Sequence, residues 1–417
     1  MHLTSDAVTV LHLKKSLYGL RQAPREWNKM LHEFLLAQKL QQSVNDPCLY
    51  FIPGKLWVAI WVDDFIVMAA DTVLKNSFKT ELSQRFKMRD LGPLHHFLGM
   101  EVTRDRKRGT LQLTSVSHTS ELIDRFGMQD ARSVATPLPP KTSLLPTGAN
   151  ESDVLTAEYP YRSLIGSLQY LAMTTRPDIS FAVSLLARFQ ARPSKQHWDA
   201  AKHVVRYLKG TLDMGLTYSA QSSDITVSDT HDSPSVTQSS DPPVVTTSGI
   251  LSGNVLYGYV DASWAEDVST RRSQTGYVFM YAGAAVHWST KLQTTVALSS
   301  TEAEYLALSS ATKEGLYLRL LFSDLTGYSQ QSVVLCEDNQ STMKMAQRLS
   351  SSERTKHIDV RHHFIRDYVN SGVIQLRYVS TGIQAADCLT KPLDKIKVVL
   401  FRQIILGATS KTVSEGA

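Results

Sequence analysis

The sequence predicts a multidomain protein that combines α/β and α+β folds, and three observations support this. The chain has 417 residues, more than the roughly 150 of an average domain. Hydrophobic residues make up 42% and charged residues 20%, which is enough apolar material for packed cores and excludes wholesale disorder. The C-terminal part also alternates strand and helix patterns in the order βββαβααβα, which predicts a mixed sheet with helices on both faces.

The first region, residues 1–135, mixes helix and strand patterns. Glu26–Leu40 has the periodicity of an amphipathic helix. Two apolar runs follow, Leu56–Val62 and Phe65–Ala70, and only Asp63-Asp64 separates them. This pattern predicts a tight hairpin with two acids at its tip.

The middle of the chain changes character twice. A proline-rich stretch, Thr136–Pro146, opens a helical region that we expect over 136–218, and its clearest helix is Lys195–Lys209. Residues 219–253 are dominated by Ser, Thr, Asp and Pro, so we expect a disordered linker. A flexible tail is expected at 408–417.

The clearest domain covers 254–407. Its elements are predicted in this order: strands Val255–Ser263, Gly276–Ala282 and Ala285–Lys291, a helix Thr301–Leu325, a strand Ser332–Glu337, helices from Asn339 and over Ile358–Asn370, a strand Val373–Val379, and a last helix starting near Gln384.

Composition also limits the class of protein. The net charge of +5 and the pI near 8.9 are compatible with a polyanionic partner. The longest apolar run, Leu56–Val62, is far shorter than the roughly 20 residues of a membrane helix. Met1–Asp6 lacks the features of a secretory signal, and the three cysteines form no C-x-x-C motif. We therefore expect an intracellular protein, cytoplasmic or nuclear, that is neither secreted nor bound to a membrane.

Several acids stand where strands and helices meet the predicted sheet. Asp261 lies inside the first strand, and Asp338 follows the strand Val333-Val-Leu-Cys. A buried carboxylate must be paired or must bind a metal. Asp338 could instead cap the next helix, and Asp387 could simply favour the start of the last helix through its dipole.

The long helix offers two glutamates, Glu302 and Glu304. At about 100° per residue they point roughly 200° apart, so at most one faces the sheet. Small and apolar residues share the face of Glu304, which predicts that Glu304 is buried and Glu302 is on the wet side. Four acids converging on one sheet would form an oxygen-rich cage for two hard cations, an arrangement suited to phosphodiester hydrolysis.

Specific strings then point to a family. The C-terminal domain resembles the ribonuclease H domain of copia-like LTR retrotransposon polyproteins in these strings: Tyr259-Val-Asp-Ala-Ser-Trp-Ala, Ser299-Ser-Thr-Glu-Ala-Glu-Tyr, Glu337-Asp-Asn-Gln, Thr355-Lys-His-Ile-Asp-Val and Ala386-Asp-Cys-Leu-Thr-Lys. The upstream chain resembles the reverse transcriptase palm, primer grip and connection of the same elements in these strings: Ser16-Leu-Tyr-Gly-Leu-Arg-Gln-Ala-Pro-Arg-Glu-Trp, Trp61-Val-Asp-Asp, Leu94–Val102, Tyr161-Arg-Ser-Leu-Ile-Gly-Ser-Leu-Gln-Tyr-Leu and Thr175-Arg-Pro-Asp-Ile.

The resemblance implies a ribonuclease H that cuts the RNA strand of an RNA–DNA hybrid. Its catalytic and metal-binding quartet would be Asp261, Glu304, Asp338 and Asp387, holding two Mg²⁺ or Mn²⁺ ions. Helical periodicity and the resemblance to the family therefore both indicate Glu304.

In the palm, the resemblance implies that Asp63 binds metal, that Asp64 is catalytic beside it, and that Gly19 and Pro24 shape a nucleotide pocket. The sequence departs from the family there. No upstream palm aspartate matches and no fingers subdomain precedes the motif, so we expect a partial palm that does not polymerise DNA.

Basic residues suggest where nucleic acid would lie. Lys195, Lys202, Arg206 and Lys209 share an arc of about 60° on their helix. Because no glutamate is interleaved, the stripe is expected to be uncompensated and to contact a phosphate backbone, although charged helix faces are often simply solvated. Arg271 and Arg272 are further candidates.

Three functional hypotheses remain open. The first is an active ribonuclease H attached to a palm remnant, whose partners are RNA–DNA hybrid, primer-template nucleic acid and the rest of the polyprotein. The second is a folded but inactive nucleic-acid-binding relic. The third is a domesticated interaction protein, for which the sequence offers no specific support.

Overall fold

The computed structural model describes residues 13–14, 16–17, 19–146, 154–156, 158–220, 255–327, 332–347 and 359–407. The chain divides into two compact units. Unit 1 comprises Met1–Gly92 and Leu320–Gln330, and unit 2 comprises Pro93–Arg319 and Gln331–Ala417. Of the predicted linker 219–253, only the first two residues fall within the described residues, and the predicted tail 408–417 lies outside them.

Unit 1 is a small antiparallel sheet packed with two helices. Its elements are α1 (Ala23–Ala37), β1 (Gln41–Gln42), β2 (Leu49–Ile52), β3 (Leu56–Trp61), β4 (Asp64–Ala69) and α2 (Thr72–Arg85), and the sheet order is β1-β2-β3-β4. The core contains Leu31 and Leu35 of α1, Val58 of β3 and Phe78 of α2. The predicted amphipathic helix and the acid-tipped hairpin are both confirmed.

The hairpin turn of unit 1 lies one residue earlier than predicted. Trp61 pairs with Asp64, so only Val62 and Asp63 form the turn. Val62 adopts a positive φ of 57°, which is unfavourable for a β-branched residue. The indole Nε1 of Trp27 donates a hydrogen bond to the Val62 carbonyl at 2.8 Å and supports the turn.

Unit 2 begins with a second antiparallel sheet and a group of helices. The strands, in sheet order, are β5 (His96–Phe97), β6 (Met100–Asp105), β7 (Thr110–Thr114) and β8 (Leu216–Ser219). The helices are α3 (Val116–Arg125), α4 (Tyr161–Thr174), α5 (Ser180–Ala187) and α6 (Lys195–Lys209). The bounds predicted for α6 are confirmed. The expectation that helix continues to residue 218 is wrong, because Leu216–Ser219 pairs with β7 across about a hundred intervening residues.

The C-terminal part of unit 2 has the predicted order βββαβααβα. Its elements are β9 (Tyr257–Ser263), β10 (Gln274–Tyr281), β11 (Ala284–Leu292), α7 (Ser300–Thr326), β12 (Val333–Glu337), α8 (Gln340–Gln347), α9 (Asp359–Asn370), β13 (Ile374–Tyr378) and α10 (Lys395–Leu406). The residues of α7 from Leu320 onward are assigned to unit 1. The sheet order is β11-β10-β9-β12-β13. β9, β10 and β11 are antiparallel neighbours, and β12 runs parallel to both β9 and β13.

The end of the domain differs from the prediction. Ala385–Leu389 forms a 3-10 helix, and α10 starts only at Lys395, where Asp394 caps it by accepting from the Lys397 amide at 3.0 Å. Pro392 lies between the two helices, and a proline cannot continue a helix from the residues before it.

One hydrophobic core joins the helices of unit 2 to one face of its C-terminal sheet. It includes Leu168 of α4, Val204 of α6, Tyr259 of β9 and Phe401 of α10. On the other face α7 comes close at Gly315, where an added Cβ would lie 3.2 Å from Phe279. No described helix has both the length and the apolar character of a membrane span.

Candidate metal centre and nucleic-acid contacts

Three acids from different elements of unit 2 meet at one end of the C-terminal sheet. Asp261 lies on β9, Glu304 in the first turns of α7, and Asp338 directly after β12. Tyr259 and Cys336 are register partners, so two residues further along these parallel strands Asp261 on β9 comes beside Asp338, just past the end of β12. Each acid offers one carboxylate oxygen within 4.8 Å of the other two.

The two glutamates of α7 have the orientations that helical periodicity predicts. Glu304 is only 6% exposed, and its atom Oε2 has no hydrogen-bond partner among the described residues. Glu302 instead accepts a hydrogen bond from the Leu298 amide at 2.7 Å, at the start of the helix. Glu304 therefore belongs to the site and Glu302 to the helix terminus.

Asp338 is not the cap of the helix that follows it. That role falls to Asn339, whose side-chain oxygen accepts from the Thr342 amide at 3.0 Å. Asp338 instead accepts a hydrogen bond from the hydroxyl of Thr381 at 2.7 Å. The alternative that Asp338 serves only as a cap is thus wrong.

Asp387, the fourth predicted acid, lies beside the three-carboxylate group without joining it. Its side chain is fully buried in the 3-10 helix, with Lys391 Nζ at 2.8 Å and Lys397 Nζ at 3.5 Å. Lys391 Nζ is also 3.6 Å from Asp261 Oδ2. The neighbouring Thr390 hydroxyl donates to the same oxygen of Asp261. This segment therefore links the fourth acid to the first.

A glycine lets this segment approach the sheet. Gly276 of β10 is the register partner of Asp261. A Cβ at this position would lie 2.6 Å from the Thr390 side chain and 2.8 Å from that of Leu389. Since contacts below 3 Å are not tolerated, a larger residue at 276 would push Thr390 away from Asp261.

The buried carboxylates raise one another's pKa values. Burial raises the pKa of Asp261 to about 6. The positive charge of Lys391 opposes this rise, whereas the negative charges of Asp387 and Asp338 add to it. Burial, followed by the charges of Asp261, Glu337 and Asp338, raises the pKa of Glu304 well above its usual value. Buried like charges at this spacing are relieved by a cation.

A fifth carboxylate, Glu337, is a site residue that sequence reasoning missed. Its side chain is fully buried, one oxygen accepts from the Asn339 amide at 3.0 Å, and Oε2 has no hydrogen-bond partner among the described residues. Burial and the charges of Asp261 and Asp338 raise the pKa of Glu337 well above its usual value, partly offset by that amide. Strand alternation could have revealed it, since Val333, Leu335 and Glu337 lie on one face of β12.

These acids fit a divalent cation. The donors are all carboxylate oxygens, which hard ions such as Mg²⁺ and Mn²⁺ prefer. One carboxylate oxygen each of Glu304 and Glu337 is buried without a hydrogen-bond partner among the described residues. Burying such an oxygen costs free energy unless a donor or a cation faces it, so these two oxygens also favour a cation site.

The acids of unit 1 differ. Asp63 and Asp64 are both exposed at the turn between β3 and β4, and within the described residues neither belongs to a group of three potential metal ligands. Gly19 has a positive φ of 92°, and Pro24 lies in the first turn of α1.

The basic stripe of α6 is only partly free, which corrects the expectation that it is uncompensated. Lys195 pairs with Asp199 at 2.6 Å, because an aspartate supplies the i,i+4 partner. Arg206 donates to the Arg132 carbonyl at 2.7 Å, and Lys209 to the Ala131 carbonyl at 2.9 Å. The opposite face of α6 is buried and includes Ala201, Val204, Val205 and Leu208.

Arg271 and Arg272 lie on the loop between β9 and β10. The Arg271 amide donates to the Asp267 carbonyl at 2.7 Å, and Arg188 pairs with the Asp267 side chain at 2.8 Å. The loop that carries both arginines is thereby braced against α5.

Comparison with known proteins identifies the family. A family model described as "Reverse transcriptase (RNA-dependent DNA polymerase)" matches residues 2–140. The retrovirus-related Pol polyprotein from transposon TNT 1-94 of Nicotiana tabacum is 36% identical over 404 residues, which cover 95% of this chain and 28% of that protein. The putative transposon Ty5-1 protein of Saccharomyces cerevisiae is 31% identical over 73% of this chain and 89% of its own length. The chain belongs to the copia-like retrotransposon Pol family.

This copia-like Pol chain spans about a quarter of the length of the first polyproteins that it matches, with shares of 28%, 25% and 24%. Among solved structures, the ribonuclease H1 named LC11, isolated from compost, is 17% identical, with a TM-score of 0.27 over 33% of this chain and 94% of that protein.

Proposed function

We propose that the C-terminal part of unit 2 is a metal-dependent ribonuclease H that hydrolyses the RNA strand of RNA–DNA hybrids. The observation that carries the proposal is the meeting of Asp261, Glu304 and Asp338 within 4.8 Å, from three different elements. The family supports it, because a Pol polyprotein that copies RNA into DNA produces such hybrids.

The residues of the proposed site have different roles, which follow from their positions. Asp261, Glu304 and Asp338 would hold the divalent ions, and Asp387 would assist from the 3-10 helix. Ions bound in such a site activate a water and stabilise the leaving oxygen of a phosphodiester. Thr390 and Thr381 hold Asp261 and Asp338 by donating to their carboxylates, so these side chains start from fixed orientations.

The test uses the full 417-residue chain and a hybrid with labelled RNA, in Mg²⁺ and in Mn²⁺. Calcium should support binding of the hybrid better than cleavage, because its coordination is larger and looser. Asp261→Asn should abolish cleavage, whereas Asp63→Asn should leave it unchanged. Cleavage by Asp261→Asn at the wild-type rate would refute the assignment.

We further propose that unit 1 is a partial reverse transcriptase palm that does not polymerise DNA by itself. Two-metal phosphoryl transfer needs both ions to be held, and Asp63 and Asp64 have no third ligand near them among the described residues. Primer extension on a poly(rA)/oligo(dT) template is the assay. Robust incorporation of nucleotides by the purified chain would contradict this proposal.

The alternative of an inactive nucleic-acid-binding relic has one supporting observation, which is the exposed, two-acid turn of unit 1. It applies to unit 1 only. A chain that binds hybrid in Mg²⁺ but cleaves none of it would extend that alternative to unit 2.

A further inference from the structure

Lys391 lies between two carboxylates of the candidate site. Its Nζ is 2.8 Å from Asp387 Oδ1 and 3.6 Å from Asp261 Oδ2. The Lys391 side chain is 30% exposed, whereas the side chains of both acids are buried. A lysine ammonium is a compact positive charge with three donors, and here it faces two acids at once.

Lys391 lies between two sets of acids, which differ in what surrounds their oxygens. Asp261, Glu304 and Asp338 direct oxygens at one another. Asp387 has an ammonium group near each of its oxygens, Lys391 at 2.8 Å and Lys397 at 3.5 Å. A cation that bridges Asp261 and Asp387 would need the same lone pairs that Lys391 contacts, and the like charge of the lysine would repel it.

We propose that Lys391 is a positioning residue that competes with a divalent cation for Asp261 and Asp387. It stabilises the two acids when no second cation is bound and weakens the binding of that cation. The inference rests on the proposed ribonuclease function, because it concerns the same carboxylates. Lys391 would thereby control how many divalent cations the site binds at a given concentration of free cation.

The local structure favours this role over a purely structural one. Lys391 follows Asp387 by four residues and precedes Pro392, where the chain leaves the 3-10 helix. Its Nζ lies 3.6 Å from Asp261 Oδ2 as well as close to Asp387, whereas Lys397 forms an ion pair with Asp387 and none with Asp261. Lys391 is thus the lysine that touches both sets of acids.

The experiment titrates Mn²⁺ into the full chain and follows the free ion by electron paramagnetic resonance. In Lys391→Met and Lys391→Gln the weaker of two sites should bind about tenfold more tightly, since a competing charge is gone. Lys391→Arg should restore weak binding. Lys395→Met, which removes an exposed cation close by, should leave both sites unchanged.

A second readout separates this role from a structural one. With a chelator present, Lys391→Met and Lys391→Gln should both have a lower melting temperature than the wild-type chain. Adding Mn²⁺ should raise the melting temperature of these two variants more than that of wild type. A structural lysine would instead weaken Mn²⁺ binding when removed. If Lys391→Met does not fold, Lys391→Gln decides the question.

Three results would overturn the inference. The first is Mn²⁺ binding that is unchanged or weaker in folded Lys391→Met and Lys391→Gln. The second is Mn²⁺ binding that becomes tighter in Lys395→Met by the same factor. The third is a wild-type chain that neither binds Mn²⁺ nor cleaves hybrid, which refutes the proposed function as well. A wild-type chain that cleaves normally while the variants titrate like wild type refutes the inference alone.

Discussion

Both units of the chain place acids where a β-strand ends, yet the two groups differ in what surrounds them. In unit 1, Asp63 lies on the two-residue turn, Asp64 begins β4 directly after it, and both are exposed. In unit 2, Asp261 and Glu304 are 2% and 6% exposed and are joined by Asp338 from a third element. Water solvates the first pair, whereas the second group must find counter-charges within the protein. Acids become a candidate metal centre when several elements bury them together, not when a motif merely places them in sequence.

The strongest test of this comparison uses the two glutamates of α7, which differ in burial but lie on one helix. Glu304→Gln should reduce hybrid cleavage about 1,000-fold or more, because a metal-ion site supplies several kcal/mol of transition-state stabilisation. Glu302→Gln keeps an acceptor for the Leu298 amide and should change the rate less than about twofold. Gel analysis of labelled RNA measures both, and equal losses would contradict the assignment of Glu304 to the site.

The next test uses pH. Raised carboxyl pKa values mean that the folded state binds protons more tightly than the unfolded chain, so stability should rise as pH falls. With a chelator present, lowering the pH from 7.5 to 5 should stabilise the protein, and Asp261, with its pKa of about 6, should contribute about 1.4 kcal/mol over this interval.

The control for the pH test is the matched pair Asp261→Asn and Asp63→Asn. Thermal melting should show a smaller pH response in the first variant and the full response in the second. Below about pH 4 the trend should reverse, because hydrogen bonds and ion pairs depress the pKa of Glu101 and Asp267 to about 2 despite their partial burial. A melting temperature that falls steadily from pH 7.5 to 5 would contradict the electrostatic picture of unit 2.

A smaller effect is expected at the acid turn of unit 1. Trp27→Phe removes the hydrogen bond to the Val62 carbonyl and should lower the free energy of unfolding of unit 1 by about 1 kcal/mol. Hybrid cleavage should not change, because the proposed site lies in unit 2. Denaturant melts and the cleavage assay together check this, and a loss of cleavage without a loss of fold would show that the turn takes part in the reaction.

The smallest effect concerns the basic helix α6. Lys202 lies on an open groove with Arg132 and Arg206, whereas Lys195 is paired with Asp199. Lys202→Ala should reduce the slope of log K against log salt for hybrid binding by about 0.9, the value for one phosphate contact. Lys195→Ala should change it less. A slope that is equal in both variants and in wild type would leave α6 as ordinary solvated surface.

Local patterns predicted much of this protein. The bounds of α6, the hairpin of β3 and β4, the order βββαβααβα and the inward face of Glu304 all follow from periodicity over a few turns or strands. Each depends on residues close together in sequence, so the relevant physics is visible in a short window. The resemblance to copia-like Pol proteins added the family, which the comparisons bear out.

Tertiary contacts decided the rest. The pairing of β8 with β7 and the carbonyls that engage Arg206 and Lys209 join residues that are distant in sequence, and no local pattern specifies their geometry. The sequence by itself determined which acids this protein has and which faces of their elements they occupy. Only the folded chain decided that Glu337 is buried beside them and that Lys391 reaches both Asp261 and Asp387, because burial and charge pairing depend on which distant segments pack together.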